Sequence, residues 1–167
     1  RTLQGDAYLS QLLKELQRRS DELSKKFLIP KRPLFVKLSP DLSDEELLKV
    51  IDSCKQHQIS GIVATNTTTD YSLLPFSSFS KGGISGRPLM NKSTEFLRRI
   101  RHLGGEKLLL MGAGGIFSAE DARAKFSAGA DLLEIYTGFV FQGPSLIKKM
   151  KDVAVEESLA PSFIFQG

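Results

Sequence analysis

The sequence predicts an α/β fold with a parallel sheet, and within that class half of a (β/α)8 TIM barrel. Three observations lead there. Short apolar runs alternate with helical stretches four times along the 167 residues, the pattern of βαβ units. The apolar runs end in polar or glycine-rich segments: Lys37-Leu38-Ser39, Thr65-Asn66-Thr67-Thr68, Gly112-Ala113-Gly114-Gly115 and Tyr136-Thr137-Gly138. Polar groups at the carboxyl end of each strand suit the active face of a barrel, whereas an open doubly wound sheet gathers its site at one switch point. Lastly, a whole barrel takes roughly 250 residues, so the chain reads as one partial barrel domain over residues 1–167.

Each element has a local reason. From about Asp6 to Lys26, Leu9, Leu12, Leu13, Leu16 and Leu23 fall near a helical period. Pro30 and Pro33 end that region, and Leu34–Ser39 reads as a strand stopped by Pro40. Ser43 and Glu46 form a capping box for a helix that carries Leu47, Leu48, Ile51 and Cys54 towards the core. Gly61–Asn66 is the second strand, followed by a polar stretch holding Gly82, Gly83 and Gly86. A helix over about Ser93–Leu103 stops at Gly104-Gly105. Leu108–Gly112 is the third strand, and Ser118 caps the helix Ala119–Ala128. Asp131–Tyr136 is the fourth strand, and a last helix covers roughly Pro144–Glu157. The tail from Ser158 shows no period.

Composition narrows the function classes. Hydrophobic residues make up 41% and charged residues 25%, a globular profile. The single cysteine, Cys54, excludes an internal disulfide framework. No apolar run approaches the roughly 20 residues of a membrane span, and Arg1-Thr2-Leu3-Gln4-Gly5 carries neither a signal pattern nor an initiator Met, so a fragment is expected. Net charge is +4, with seven basic residues and three acids between Lys14 and Arg32. That excess reads as a solvated helix face. With Phe27 the one aromatic in that run and no Trp in the chain, nucleic acid is not an expected partner.

Several positions are suited to binding. Glycines in Gly112-Ala113-Gly114-Gly115 let backbone amides approach a phosphate ahead of a helix N-terminus, although a tight strand-to-helix turn would need them equally. Their spacing is not that of a dinucleotide fingerprint, because the acid about 20 positions on, Glu134, lies inside the next strand. Lys37 interrupts an apolar strand. It either points to solvent from an edge or places a fixed positive charge at the barrel mouth. Asn66, in a run of threonines, is the best neutral ligand candidate. His57 and His102 sit at helix C-termini, where the dipole favours them. No metal-ligand spacing is present, Cys54 reads as inert core, and Ser10, Ser20 and Ser24 have no expected base partner. These are binding groups without a complete acid–base set.

The strings Val36-Lys37-Leu38-Ser39-Pro40-Asp41-Leu42, Ala64-Thr65-Asn66-Thr67-Thr68, Gly82-Gly83-Ile84-Ser85-Gly86-Arg87-Pro88-Leu89, Gly112–Ser118 and Ile135-Tyr136-Thr137-Gly138-Phe139 with Gly143-Pro144 resemble the dihydroorotate dehydrogenases of class 2, the quinone-dependent, membrane-associated type. The resemblance implies an FMN-containing barrel that oxidises dihydroorotate to orotate in pyrimidine biosynthesis and passes electrons to quinone. It matches Lys37 to the lysine beside the flavin N1/O2 edge and Thr65 to a flavin contact. Asn66 and Thr67 match orotate-binding positions, and Ser85 and Gly86 match the glycine-rich flavin loop. Gly114, Gly115, Tyr136 and Thr137 match the phosphate clamp.

The same resemblance makes these the last four β/α units, the C-terminal half, of the (β/α)8 barrel, and places the catalytic serine, the first four strands and the N-terminal quinone-binding region upstream of Arg1. It implies no catalytic residue within the chain, and near-inactivity of the chain alone. Peripheral association with the bacterial inner membrane or the mitochondrial inner membrane follows through that absent region. Two alternatives stand beside it: another phosphate- or FMN-binding barrel enzyme, and an inactive half-barrel assembly module whose open sheet edges favour association.

Overall fold

In the computed structural model, which describes residues 6–75 and 81–158, the chain forms α1 (Asp6–Phe27), β1 (Phe35–Leu38), α2 (Asp44–Gln56), β2 (Gly61–Ala64), α3 (Met90–Gly104), β3 (Leu109–Ala113), α4 (Ala119–Ser127), β4 (Leu132–Glu134), α5 (Thr137–Gln142) and α6 (Pro144–Ser158). The four strands are parallel, in the order β1-β2-β3-β4. Sequential order with a helix between neighbours is half of a TIM barrel. The register sets Lys37 opposite Val63, Val63 opposite Met111 and Met111 opposite Leu132.

Local signals explain most boundaries. Ser43 Oγ accepts from the Glu46 amide at 3.2 Å while the Glu46 carboxylate accepts from the Ser43 amide at 2.8 Å, the expected capping box. Ser118 Oγ likewise accepts from the Asp121 amide. Gly105, at φ +72°, closes α3. The larger core packs α1, α2 and α3 on the sheet through residues such as Leu13, Leu47, Ile51, Leu97, Ile100 and Leu110. A second core joins α4 to α6 through Ala122, Leu146, Met150 and Val153.

Three details differ from the sequence reading. Leu48 is 41% exposed, and Val50 takes its place in the core. Leu47, Val50, Ile51 and Cys54 form the i, i+3, i+4, i+7 stripe, and Leu48 is rotated off it. Helix α3 starts at Met90, because the turn Arg87–Leu89 leads straight into it. The fourth strand stops at Glu134, and Thr137 opens the short α5. The N-terminal segment Arg1–Gly5 and the tail from Leu159 lie outside the described residues, as do residues 76–80 of the polar stretch.

Candidate functional site

The carboxyl ends of the strands border one cleft. It is lined by Lys37 from β1, by Thr65, Asn66 and Thr67 after β2, and by Ser85 and Gly86 before α3. Gly114 and Gly115 after β3 complete it with Glu134, Tyr136 and Thr137 at the end of β4. All ten residues singled out in the sequence therefore border the same space. β1 is an edge strand of the described sheet, yet Lys37 turns into the cleft. Its Nζ lies 2.5 Å from Glu134 Oε1 on β4, the opposite edge strand.

The loop after β2 is held from below. Pro40 ends β1, and Asp41 then reaches over to that loop. Its carboxylate accepts from the Thr68 hydroxyl, from the Thr69 amide at 3.0 Å and from Lys92 at 2.9 Å. Lys92 also pairs with Asp70 at 3.0 Å. Thr68 and Ile84 exchange backbone hydrogen bonds of 3.2 and 2.7 Å, which brings Ser85 beside Thr67. Asn66 Oδ1 accepts from the Thr67 amide at 2.9 Å, leaving its NH2 group to donate elsewhere. The Ala64–Thr65 peptide is cis.

Burial alone would raise the Asp41 carboxyl, but its hydrogen bonds from Thr68 and Thr69 and the adjacent Lys92 hold it well below the usual carboxylate range. Lys92 is raised in turn, its own burial being outweighed by Asp41 and Asp70. A carboxyl depressed in the fold stabilises above its unfolded pKa, near 3.9, and that contribution is lost as the pH falls through the folded value. Asp41→Asn should cost about 1–2 kcal/mol near neutrality, and the gap from the unaltered protein should begin to narrow below about pH 4 and go on narrowing as the pH falls further. Urea midpoints across that range check it. A gap independent of pH would show that shape, and not charge, is what Asp41 contributes.

The glycine turn after β3 is shaped for close approach. Gly114 and Gly115 adopt φ of +95° and +79°. A Cβ on Gly115 would lie 2.4 Å from Met90 Cα, so only glycine lets the turn pack on the start of α3. Among the described residues no acceptor takes the Gly115 or Ile116 amide. Across the cleft Thr137 Oγ1 donates to Ser85 Oγ at 3.2 Å. Thr65 Oγ1 is buried and has no hydrogen-bond partner among the described residues. These groups fit a ligand that brings an anion to the glycine turn and a polar, planar body towards Lys37, Thr65 and Asn66.

Other positions resolve as structure. Cys54 is fully buried, and burial pushes its thiol up to about 11. Ser10, expected to lack a base, lies 2.7 Å from His57 Nε2. That pair joins α1 to the C-terminal end of α2, at the amino ends of the strands and away from the cleft. It is a packing contact. Two side chains escaped the sequence reading. Glu134 was visible only as a strand residue, although a second charge in a short apolar strand was a signal that Lys37 has a partner. Lys125, fully buried on α4, falls three residues after core-facing Ala122, and that spacing was legible.

Four parallel strands in sequential order, with a glycine turn and a lysine bordering one cleft at their carboxyl ends, place the chain in the class of (β/α)8-barrel proteins. A family model, dihydroorotate dehydrogenase, matches residues 1–157. The chain belongs to the dihydroorotate dehydrogenase family. It is 41% identical over 150 residues to a dihydroorotate dehydrogenase (quinone) of Aliivibrio salmonicida, covering 89% of this chain and 44% of that one. It is 45% identical over 155 residues to one from Escherichia fergusonii, covering 90% and 45%. A crystal structure of DHODH from Eimeria tenella in complex with ferulenol superposes with a TM-score of 0.81 at 31% identity, over 93% of this chain and 45% of that one. The ligand-free form gives 0.80 at 28% identity, over 95% and 48%. The chain thus spans about half the length of the relatives it matches.

Proposed function

We propose that the protein to which this chain contributes oxidises dihydroorotate to orotate with bound FMN and passes the electrons to a quinone. The observation that carries this reading is the single cleft in which Lys37, Asn66 and the Gly114-Gly115 turn converge. FMN would supply the two-electron acceptor that no side chain can provide. The chain's own residues bind and orient. The Gly115 and Ile116 amides, with Ser85, Gly86, Tyr136 and Thr137, would hold the phosphate. Thr65 would give its orphaned hydroxyl to the ring, and Lys37 would set a positive charge at the ring's electron-rich edge. Asn66 and Thr67 would receive the planar, polar substrate.

β1 and β4 each pair on one side only in the described sheet. In this reading residues 1–167 form part of an FMN-binding barrel domain, whose other units close on these edges and supply the proton-abstracting base. Among the described residues no helix is long and apolar enough to cross a membrane. Access to quinone would come from peripheral attachment to a membrane through other parts of the protein.

Purified full-length protein is expected to be yellow, to release FMN on denaturation, and to reduce a quinone only when dihydroorotate is present. Riboflavin-free, colourless protein that turns over a phosphosugar would overturn the reading in favour of another phosphate-binding barrel. A flavin-free, inactive assembly would favour a binding module.

A further inference from the structure

Lys125 on α4 is fully buried, on the stripe of the helix that faces the core. An ammonium there is costly unless something offsets it. Among the described residues its hydrogen-bond partner is Ser93 Oγ on α3, at 2.5 Å, and no carboxylate reaches salt-bridge distance. The charged groups that face it are Asp121, one turn back on α4, and Arg98 on α3. Asp121 is already engaged by Arg87 at 3.0 Å and by the Phe117 amide at 2.9 Å. The neighbouring strand β3 presents Gly112, where a Cβ would meet Lys125 Cβ at 3.3 Å. Burial pushes the Lys125 ammonium down to about 7, with Asp121 opposing and Arg98 adding to the effect.

What lies beyond Ser93 gives this burial a purpose. Ser93 Oγ is 3.0 Å from the Gly114 carbonyl and shares its proton with the Met90 carbonyl, also at 3.0 Å, so the ammonium stands one hydroxyl behind the glycine turn. Drawing that carbonyl towards Ser93 sends the Gly115 N–H the opposite way, because the peptide is planar and trans. The Gly115 amide is one of the two left without an acceptor among the described residues.

We propose that Lys125 is a positioning residue for anion binding, which orients the Gly114–Gly115 peptide through Ser93 and supplies a buried positive charge behind a bound phosphate. The inference rests on the FMN reading above and deepens it. Its sign is definite. A bound dianion favours the protonated lysine, so phosphate affinity falls as the pH rises and the lysine loses its proton.

FMN and riboflavin share the ring but not the phosphate, and a phosphate monoester is already mostly dianionic above about pH 7. Dissociation constants for both flavins are therefore measured by fluorescence quenching on the full-length protein, at about pH 7 and about pH 9. FMN binding is expected to weaken about tenfold across that range while riboflavin binding stays level. Lys125→Met should bind FMN more weakly at the lower pH and show no slope. Ser93→Ala should weaken FMN at every pH and keep the slope. Equal slopes for FMN and riboflavin in the unaltered protein, or a slope that survives Lys125→Met, would overturn the proposal while leaving the FMN reading intact. Failure to bind either flavin overturns both.

Discussion

Gly115→Ala is expected to destabilise the protein by about 2–5 kcal/mol and, under the function proposed above, to abolish flavin retention. Two costs add. The left-handed backbone at φ +79° costs a non-glycine residue roughly 1–2 kcal/mol. The new Cβ would also lie 2.4 Å from Met90 Cα and 2.7 Å from Met90 N. Neither atom is the free end of a side chain, so α3 or the turn must shift, which adds roughly 1–3 kcal/mol. Against a total stability of about 5–15 kcal/mol this is a large fraction. Gly105→Ala is the clash-free control: its φ of +72° with ψ of −175° costs a non-glycine residue roughly 1–3 kcal/mol, but nothing lies within 4 Å of the new methyl. It should show the backbone cost alone. Urea unfolding of both variants, with flavin absorbance, checks the difference. Equal destabilisation would mean that Met90 yields and that the turn is not packed rigidly.

Under the function proposed above, Lys37→Met in the full-length protein should lower dihydroorotate turnover by about 10²–10³-fold, the usual cost of removing one group that stabilises developing charge. Stability should change by no more than about 1 kcal/mol, since the Lys37–Glu134 pair is partly open to solvent. The variant leaves the Glu134 carboxylate facing the cleft without its cation. Glu134→Gln makes the opposite change and leaves the Lys37 charge without its anion. The flavin midpoint potential is thus expected to fall in Lys37→Met and to rise in Glu134→Gln. Redox titration of the two variants tests this apart from turnover. Potentials that move together would show that the ion pair shapes the cleft without setting its charge.

The legible part of this protein was what short-range periodicity carries. Ser43 with Glu46, Ser118 with Asp121 and Gly105 after α3 end their helices where the residue types indicate, because capping is settled within one turn of chain. The glycines after β3 and the polar ends of the strands were legible too, since parallel order sends every strand's carboxyl end to one face. Leu48 was misplaced because neighbouring leucines on a helix differ by 100°, and propensity does not say which of them meets the sheet. The short α5 is not legible because Tyr136-Thr137-Gly138 reads as a polar strand end and offers no side-chain cap for a helix. Packing ends that strand: a Cβ on Gly138 would lie 2.0 Å from the Ile116 carbonyl oxygen.

By itself the sequence determined the alternation of strands and helices, and with it a parallel sheet whose polar tips share a rim. Those features follow from periods of two and 3.6 residues and from caps, all of them local. The tertiary structure alone decided that Lys37 meets Glu134 from 97 residues away. It alone placed the Lys125 ammonium behind Gly114. Both depend on which faces of distant elements are brought together, and a buried or paired charge acquires its energy only from the neighbours that the assembled sheet supplies.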